Sequence, residues 1–152
     1  LEKQQLALTP MIIAAKELIA PQLKAQQTTL TLQLSEDPIS VNVNSIQLEQ
    51  VLVNLLSNAI HAVSEQPSRT IMLLVEKQNE QVSIHIDDSG KGINLEHRDR
   101  LFEPFYTTKK NGLGLGLSIS QQILQAMNGE LTTGESPLGG ARFTITLPFK
   151  DE

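Results

Sequence analysis

Residues 47–63 (QLEQVLVNLLSNAIHAV) constrain the chain more than any other stretch. They combine a helical apolar stripe with side-chain amides where a solvated helix would carry charges. At the helical period Leu48, Val51, Leu52, Leu55, Ala59 and Ala62 share one face, while Gln47, Gln50, Asn54, Asn58 and His61 form a strip beside it. The first set is expected to be core. Asn54 and Asn58 stand four residues apart and therefore stack on one side of the helix. Asparagine is a poor helix former, so two in mid-helix weaken it by a few tenths of a kcal/mol each without a packing gain. An amide oxygen is a neutral hard ligand for Mg²⁺, and its NH₂ can donate to a phosphate oxygen. Stacked asparagines thus suit a metal-triphosphate, although the same pair could simply face solvent.

Outside that helix the periods alternate. Pro10 is expected to start a helix through Met11, Ile12, Leu18 and Ile19, with Pro21 bending or restarting it. Residues 28–34 alternate as a half-buried strand, and Ile39, Val41 and Val43 suggest a second, with Asn44 or Ser45 capping the central helix before Pro67 ends it. Residues 70–76 and Val82, Ile84 and Ile86 read as paired strands about a turn at residues 78–80. Asp88 is in phase with Val82, Ile84 and Ile86, which aims a carboxylate at the core side of the sheet, where an unpaired charge is very costly. A pocket containing a hydrogen-bond donor would account for it. Residues 94–101 read as a short helix, residues 116–127 as a longer one stopped by Asn128 and Gly129, and two strands close the chain. The pattern, two or three long helices and about five strands, is that of an α+β two-layer sandwich.

With 152 residues, 39% of them hydrophobic, the chain can bury one core. The net charge of −5 and the scattered basic residues argue against a nucleic-acid surface, and the absence of cysteine excludes a disulfide framework or a thiolate metal site. No apolar run reaches the roughly 20 residues that span a bilayer, so no direct membrane contact is expected. The lack of an initiator Met and of a signal peptide suggests a piece of a longer polypeptide.

Three further features carry chemistry. Gly112, Gly114 and Gly116 precede a helix, an arrangement that offers backbone N–H groups to phosphate, and Lys109 and Lys110 stand just before them. The run matches neither the dinucleotide fingerprint nor the Walker pattern, and taken alone it is equally compatible with a mobile loop. Asp88-x-Gly90-x-Gly92 ends a strand; the carboxylate could accept from an exocyclic amine such as adenine N6, and the glycines would let the backbone pass close to a planar ring, although a simple turn would also use them. His61, on the amide strip, is the one histidine placed to touch such a ligand.

Taken together these motifs resemble the sensor histidine kinases. Asn54-x-x-x-Asn58-Ala59 is similar to their N box, Asp88-Ser89-Gly90-Lys91-Gly92 to the G1 box, Phe102-Glu103-Pro104-Phe105 to the F box, and Gly112-Leu113-Gly114-Leu115-Gly116-Leu117 to the G2 box. The resemblance covers roughly residues 10–149, and LFEPFYTTK with NLLSNAIHA brings it closest to the nitrogen-regulation and C4-dicarboxylate transport subgroup. It implies the Bergerat ATP-binding fold, a mixed sheet of about five strands covered on one face by about three helices. Residues 10–152 would be the catalytic ATP-binding domain and residues 1–9 the end of an upstream helical dimerisation region.

The cofactors implied are ATP and Mg²⁺, with Asn58 resembling the metal ligand and Asn54 a phosphate or metal-water contact. Asp88 would bind the adenine amine, with Gly90 and Gly92 shaping its slot. Lys109, Gly112, Gly114 and Gly116 would hold the phosphates, and His61 stands where relatives carry Lys or Asp. The ATP-hydrolysing branch carries Glu at the place of Asn54; an amide cannot act as that base, which favours phosphoryl transfer over hydrolysis. The rivals are a serine kinase of the anti-sigma-factor type and a Bergerat-fold ATPase. The partners implied are a dimerisation and histidine phosphotransfer domain of the same protein and a response regulator, and the setting a cytoplasmic one beneath an inner-membrane sensor. No histidine here has the setting of the phospho-acceptor. Incubation of this chain with radiolabelled ATP and Mg²⁺ is accordingly expected to leave no acid-labile label on it, and label on the isolated chain would contradict the assignment.

Overall fold

The computed structural model describes residues 2–104 and 116–149, the Leu95 side chain excepted. In chain order the elements are β1 (Gln4–Ala7), α1 (Leu8–Ala25), β2 (Thr29–Gln33), β3 (Ser40–Val43), α2 (Ser45–Val63), β4 (Thr70–Gln78), β5 (Gln81–Asp88), α3 (Leu95–Arg98), α4 (Gly116–Ala126), β6 (Glu130–Glu135) and β7 (Ala141–Pro148). Five strands form one mixed sheet in the order β2-β4-β5-β7-β6, in which β2 and β4 run parallel and the other pairs antiparallel. The α+β layering and the mixed five-stranded sheet expected from the sequence are both present.

The central helix begins where a side chain can replace its missing backbone partners. Asn44 has extended dihedrals, and its side-chain oxygen accepts from the Gln47 N–H at 3.0 Å. Along α2, Leu48, Val51, Leu52, Leu55, Leu56, Ala59, Ile60 and Val63 are buried. The buried arc is wider than a single stripe because α2 packs against α1, α4 and the β4 and β5 strands at once. Each fully buried leucine there stabilises the fold by roughly 1.5–3 kcal/mol. Ala62, expected in the core, is exposed instead.

Two other expectations are corrected. Residues 4–7, read as helix-compatible, form β1, which pairs antiparallel with β3 in a separate two-stranded sheet. The alternation of Val41 and Val43 marks β3 as a strand, but nothing local indicates that its partner is β1. The first helix neither starts at Pro10 nor restarts at Pro21: Leu8 opens it, and Pro21 lies inside it. Pro10 is tolerated because the first-turn N–H groups lack helical partners in any case. Pro21 is exposed, and the buried Ile19 and Leu23 on either side of it keep the helix seated across the missing bond.

The helix stop falls as expected. Asn128 adopts φ 60°, and the Gly129 N–H donates to the Leu124 carbonyl at 2.8 Å.

The sheet face away from the helices carries a polar ladder. Asp87 and Arg142 are cross-strand partners joined by two bonds, Nε to Oδ1 at 2.7 Å and Nη2 to Oδ2 at 2.9 Å. One register step along, His85 Nδ1 lies 2.8 Å from Thr144 Oγ1, and its Nε2 lies 3.1 Å from the diagonal Glu76 carboxylate. Burial, helped by the nearby Arg142 charge, lowers the His85 pKa from 6.5, and Glu76 and Asp87 only partly oppose it.

A folded state that prefers neutral imidazole has this contribution in full above the unfolded-chain pKa and loses it as pH falls below that value. Thermal unfolding from about pH 7.5 to about pH 5.5 is therefore expected to show a falling midpoint, with a smaller fall in His85→Gln. An equal fall in both proteins would remove His85 as the cause.

Candidate functional site

Asp88 closes β5 on the helix-facing side of the sheet, in phase with Val82, Ile84 and Ile86, and is only 3% exposed. Two backbone N–H groups hold one of its carboxylate oxygens: Gly90 donates to Oδ1 at 2.9 Å and Ala141 donates to the same atom at 3.1 Å. Its main-chain carbonyl accepts from the Gly140 N–H at 3.1 Å. Among the described residues no hydrogen bond falls on Oδ2, so that oxygen is left to accept from outside. Burial pushes the Asp88 carboxyl above the ordinary carboxylate range, the two N–H groups pull it back, and the adjacent Asp87 charge pushes it further up.

The strap over Asp88 comes from the β6–β7 hairpin, far away in sequence. A Cβ on Gly140 would overlap the Asp88 carboxylate and would lie 2.6 Å from the Gly90 nitrogen. Only a residue without a side chain fits. Ser89 anchors the next step of the loop, because its hydroxyl donates to the Ser68 carbonyl at 2.9 Å and accepts from the Thr70 N–H at 3.0 Å. Gly92 follows with φ +81°, in the region open to glycine. Neither Gly140 nor Ala141 was singled out from the sequence, and Ser89 was named only as part of the Asp88–Gly92 motif. The Gly139-Gly140 pair before a strand was the one visible signal.

From Asp88 the site runs along α2. A Cβ on Gly90 would stand 2.7 Å from the Ala62 carbonyl, so the loop after β5 lies against the last turn of the helix. At the other end, a Cβ on Gly116 would stand 2.7 Å from Asn54 Oδ1, so the start of α4 lies against the same helix two turns earlier. Asn58, partly buried, sits between these two contacts. Ala62 and Asn54 are eight residues apart, about 12 Å along the axis. Asn54 is partly buried too, and its NH₂ donates to Ser120 Oγ at 3.1 Å. His61 is exposed on the strip. Lys109, Gly112 and Gly114 lie outside the described residues.

Among the described residues no group of three or more His, Cys, Asp or Glu side chains could hold a metal ion. The neutral amides of Asn54 and Asn58 cannot by themselves replace the charge such a cage would supply, which fits a cation that arrives with its own anionic ligand.

The model of the histidine kinase-, DNA gyrase B-, and HSP90-like ATPase family matches residues 43–151. Curated relatives include the C4-dicarboxylate transport sensor protein DctB of Rhizobium meliloti, 33% identical over 93% of this chain and 22% of its own length. The signal transduction histidine-protein kinase AtoS of Escherichia coli is 37% identical over 79% of this chain and 20% of its own. The chain thus spans about a fifth of these curated relatives. Among solved structures, the catalytic domain of histidine kinase ThkA superposes with a TM-score of 0.87 at 28% identity, covering 97% of this chain and 96% of that one.

Gly140→Ala is expected to destabilise the fold by about 1–3 kcal/mol, the range for forcing extra volume into a packed site. Gly134→Ala, where an added Cβ meets nothing within 4 Å, is the control and is expected to be near neutral. Urea denaturation of the two variants checks this, and similar midpoints would mean that the strap yields without cost.

Proposed function

The chain belongs to the histidine kinase-, DNA gyrase B-, and HSP90-like ATPase family, and from that premise we propose that it is the ATP-binding catalytic domain of a two-component sensor histidine kinase. It holds ATP so that the γ-phosphoryl group reaches a histidine outside this chain. The observation that carries this reading is the continuous line from Asp88 through Gly90 and Ala62 to Asn58, Asn54 and Gly116. A carboxylate acceptor stands at one end of that line and neutral amides beside a helix N-terminus at the other.

Asp88 Oδ2 accepts from the adenine amine, with Oδ1 already fixed by the two N–H donors. Gly90 and Gly92 pass the backbone close to the ring. Asn58 would hold Mg²⁺ through its amide oxygen, and the bound ion would supply positive charge to offset that of the phosphates. The start of α4 offers N–H groups to the phosphates, joined by Lys109, Gly112 and Gly114. His61, on the exposed strip, contacts the same end of the nucleotide.

In the transfer, an imidazole nitrogen attacks the γ-phosphorus, the bond to the bridging oxygen of ADP breaks, and ADP leaves with the electron pair. Asn54 favours this outcome over hydrolysis because its amide cannot take a proton from water. Residues 10–152 carry the bulk of the domain, and residues 1–9 are the end of the upstream region, packed onto it through β1 and the start of α1. The partners are the histidine-bearing dimerisation domain of the same polypeptide and a response regulator. No helix among the described residues is long and apolar enough to cross a membrane. The setting proposed for the domain is the cytoplasmic side of an inner-membrane sensor.

Calorimetric titration with ATP tests the roles. Asp88→Asn is expected to weaken ATP binding about 10- to 100-fold, the usual loss for a hydrogen bond to a charged group. Asn58→Ala is expected to reduce the dependence of that affinity on Mg²⁺. Binding by both variants indistinguishable from the parent would refute these assignments.

A further inference from the structure

On the reading that this chain binds Mg·ATP, we propose that Ser120 is a positioning residue for the triphosphate end of the site, acting through Asn54. Ser120 lies on α4, four residues before Leu124 and seven before Met127, and all three are buried. It therefore occupies a place in the apolar stripe of the helix. At 2% exposure its hydroxyl has no solvent to turn to, and an alanine there would bury as well without a polar group to satisfy. What the serine adds is an acceptor: Asn54 Nδ2 donates to Ser120 Oγ at 3.1 Å, across 66 residues of sequence.

The other edge of that amide is confined as well. Asn54 Oδ1 stands 2.7 Å from the position a Cβ would take on Gly116, so the amide is held between the first residue of α4 and a residue one turn later. One side chain of α2 thus bonds to one residue of α4 and lies close against another at its start. That start supplies the N–H groups facing the phosphates, and Asn58, the metal ligand, lies one turn from Asn54 on the same helix. The Ser120 bond thereby sets the spacing between the metal-binding amide and the phosphate-binding helix end, and it keeps the Asn54 amide plane in one orientation. Nothing in this arrangement touches Asp88, which is held from the opposite end of α2 by Gly90 and Ala141.

Because the two ends are held separately, the test reads them separately. Calorimetry with Mg·ATP reports both ends, and adenosine reports the Asp88 end alone. Ser120→Ala is expected to weaken Mg·ATP about 2- to 10-fold, the range for losing one neutral hydrogen bond, with adenosine unchanged. Ser120→Thr, which restores the acceptor, is expected to recover the affinity. Ser120→Cys keeps the volume but is a weak acceptor, so it should reproduce the selective loss even if Ser120→Ala folds poorly. In an Asn54→Ala background the effect of Ser120→Ala should disappear, because the bond is already absent. Unchanged Mg·ATP affinity in Ser120→Ala and Ser120→Cys, or an equal loss of Mg·ATP and adenosine, would overturn the proposal. A parent chain that binds neither ligand would instead overturn the functional reading beneath it.

Discussion

A carboxylate buried at the end of a strand organises much of this molecule. Asp88 would be very costly in an apolar interior, and its charge is tolerated because two N–H groups from different parts of the chain converge on one of its oxygens. That requirement fixes the turn after β5, brings the β6–β7 hairpin over it, and excludes a side chain at Gly140. The same fixing leaves the other oxygen oriented, which a binding site needs and a purely structural carboxylate does not. Stability and recognition therefore draw on one arrangement of backbone donors.

The two ends of the site differ in charge for a physical reason. Where adenine would lie, a single anion faces an amine donor. Where the phosphates would lie, α2 offers amides and α4 its N-terminus, so no protein carboxylate on that strip opposes a polyanion. The roughly 12 Å along α2 between Ala62 and Asn54 separates the Asp88 charge from the phosphate end, and the repulsion falls with that distance.

Much of this was legible because it rests on local periods. The phase of Asp88 with Val82, Ile84 and Ile86, the stack of Asn54 over Asn58, the Asn44 cap and the Asn128 stop all follow from spacing along a few residues. What escaped depends on partners distant in the chain. Ser120 is one more small polar residue of the helix until Asn54 is placed beside it, and Gly140 reads as hairpin chemistry until Asp88 is beneath it. By alternation Asp87 falls on the face opposite Val82, Ile84 and Ile86, yet it is 2% exposed there because Arg142 on the neighbouring strand covers and neutralises it. β1 escaped for the same reason: Gln4–Ala7, which show no alternation of their own, become a strand only because β3 presents its edge to them.

The neighbouring carboxylates at the end of β5 have one more consequence. Asp87 and Asp88 point to opposite sides of the sheet, one into an ion pair and one towards the helices, and β4, β5 and β7 hold them there through a continuous register from Gln78–Gln81 to Asp87–Arg142. Adding one residue between the Asn79–Glu80 turn and Asp88 would aim the Asp87 carboxylate at the α2 side and leave the Arg142 guanidinium without its mate. The residue count of β5 between that turn and Asp88 is therefore confined to steps of two, as tightly gauged as the residues that would touch a ligand.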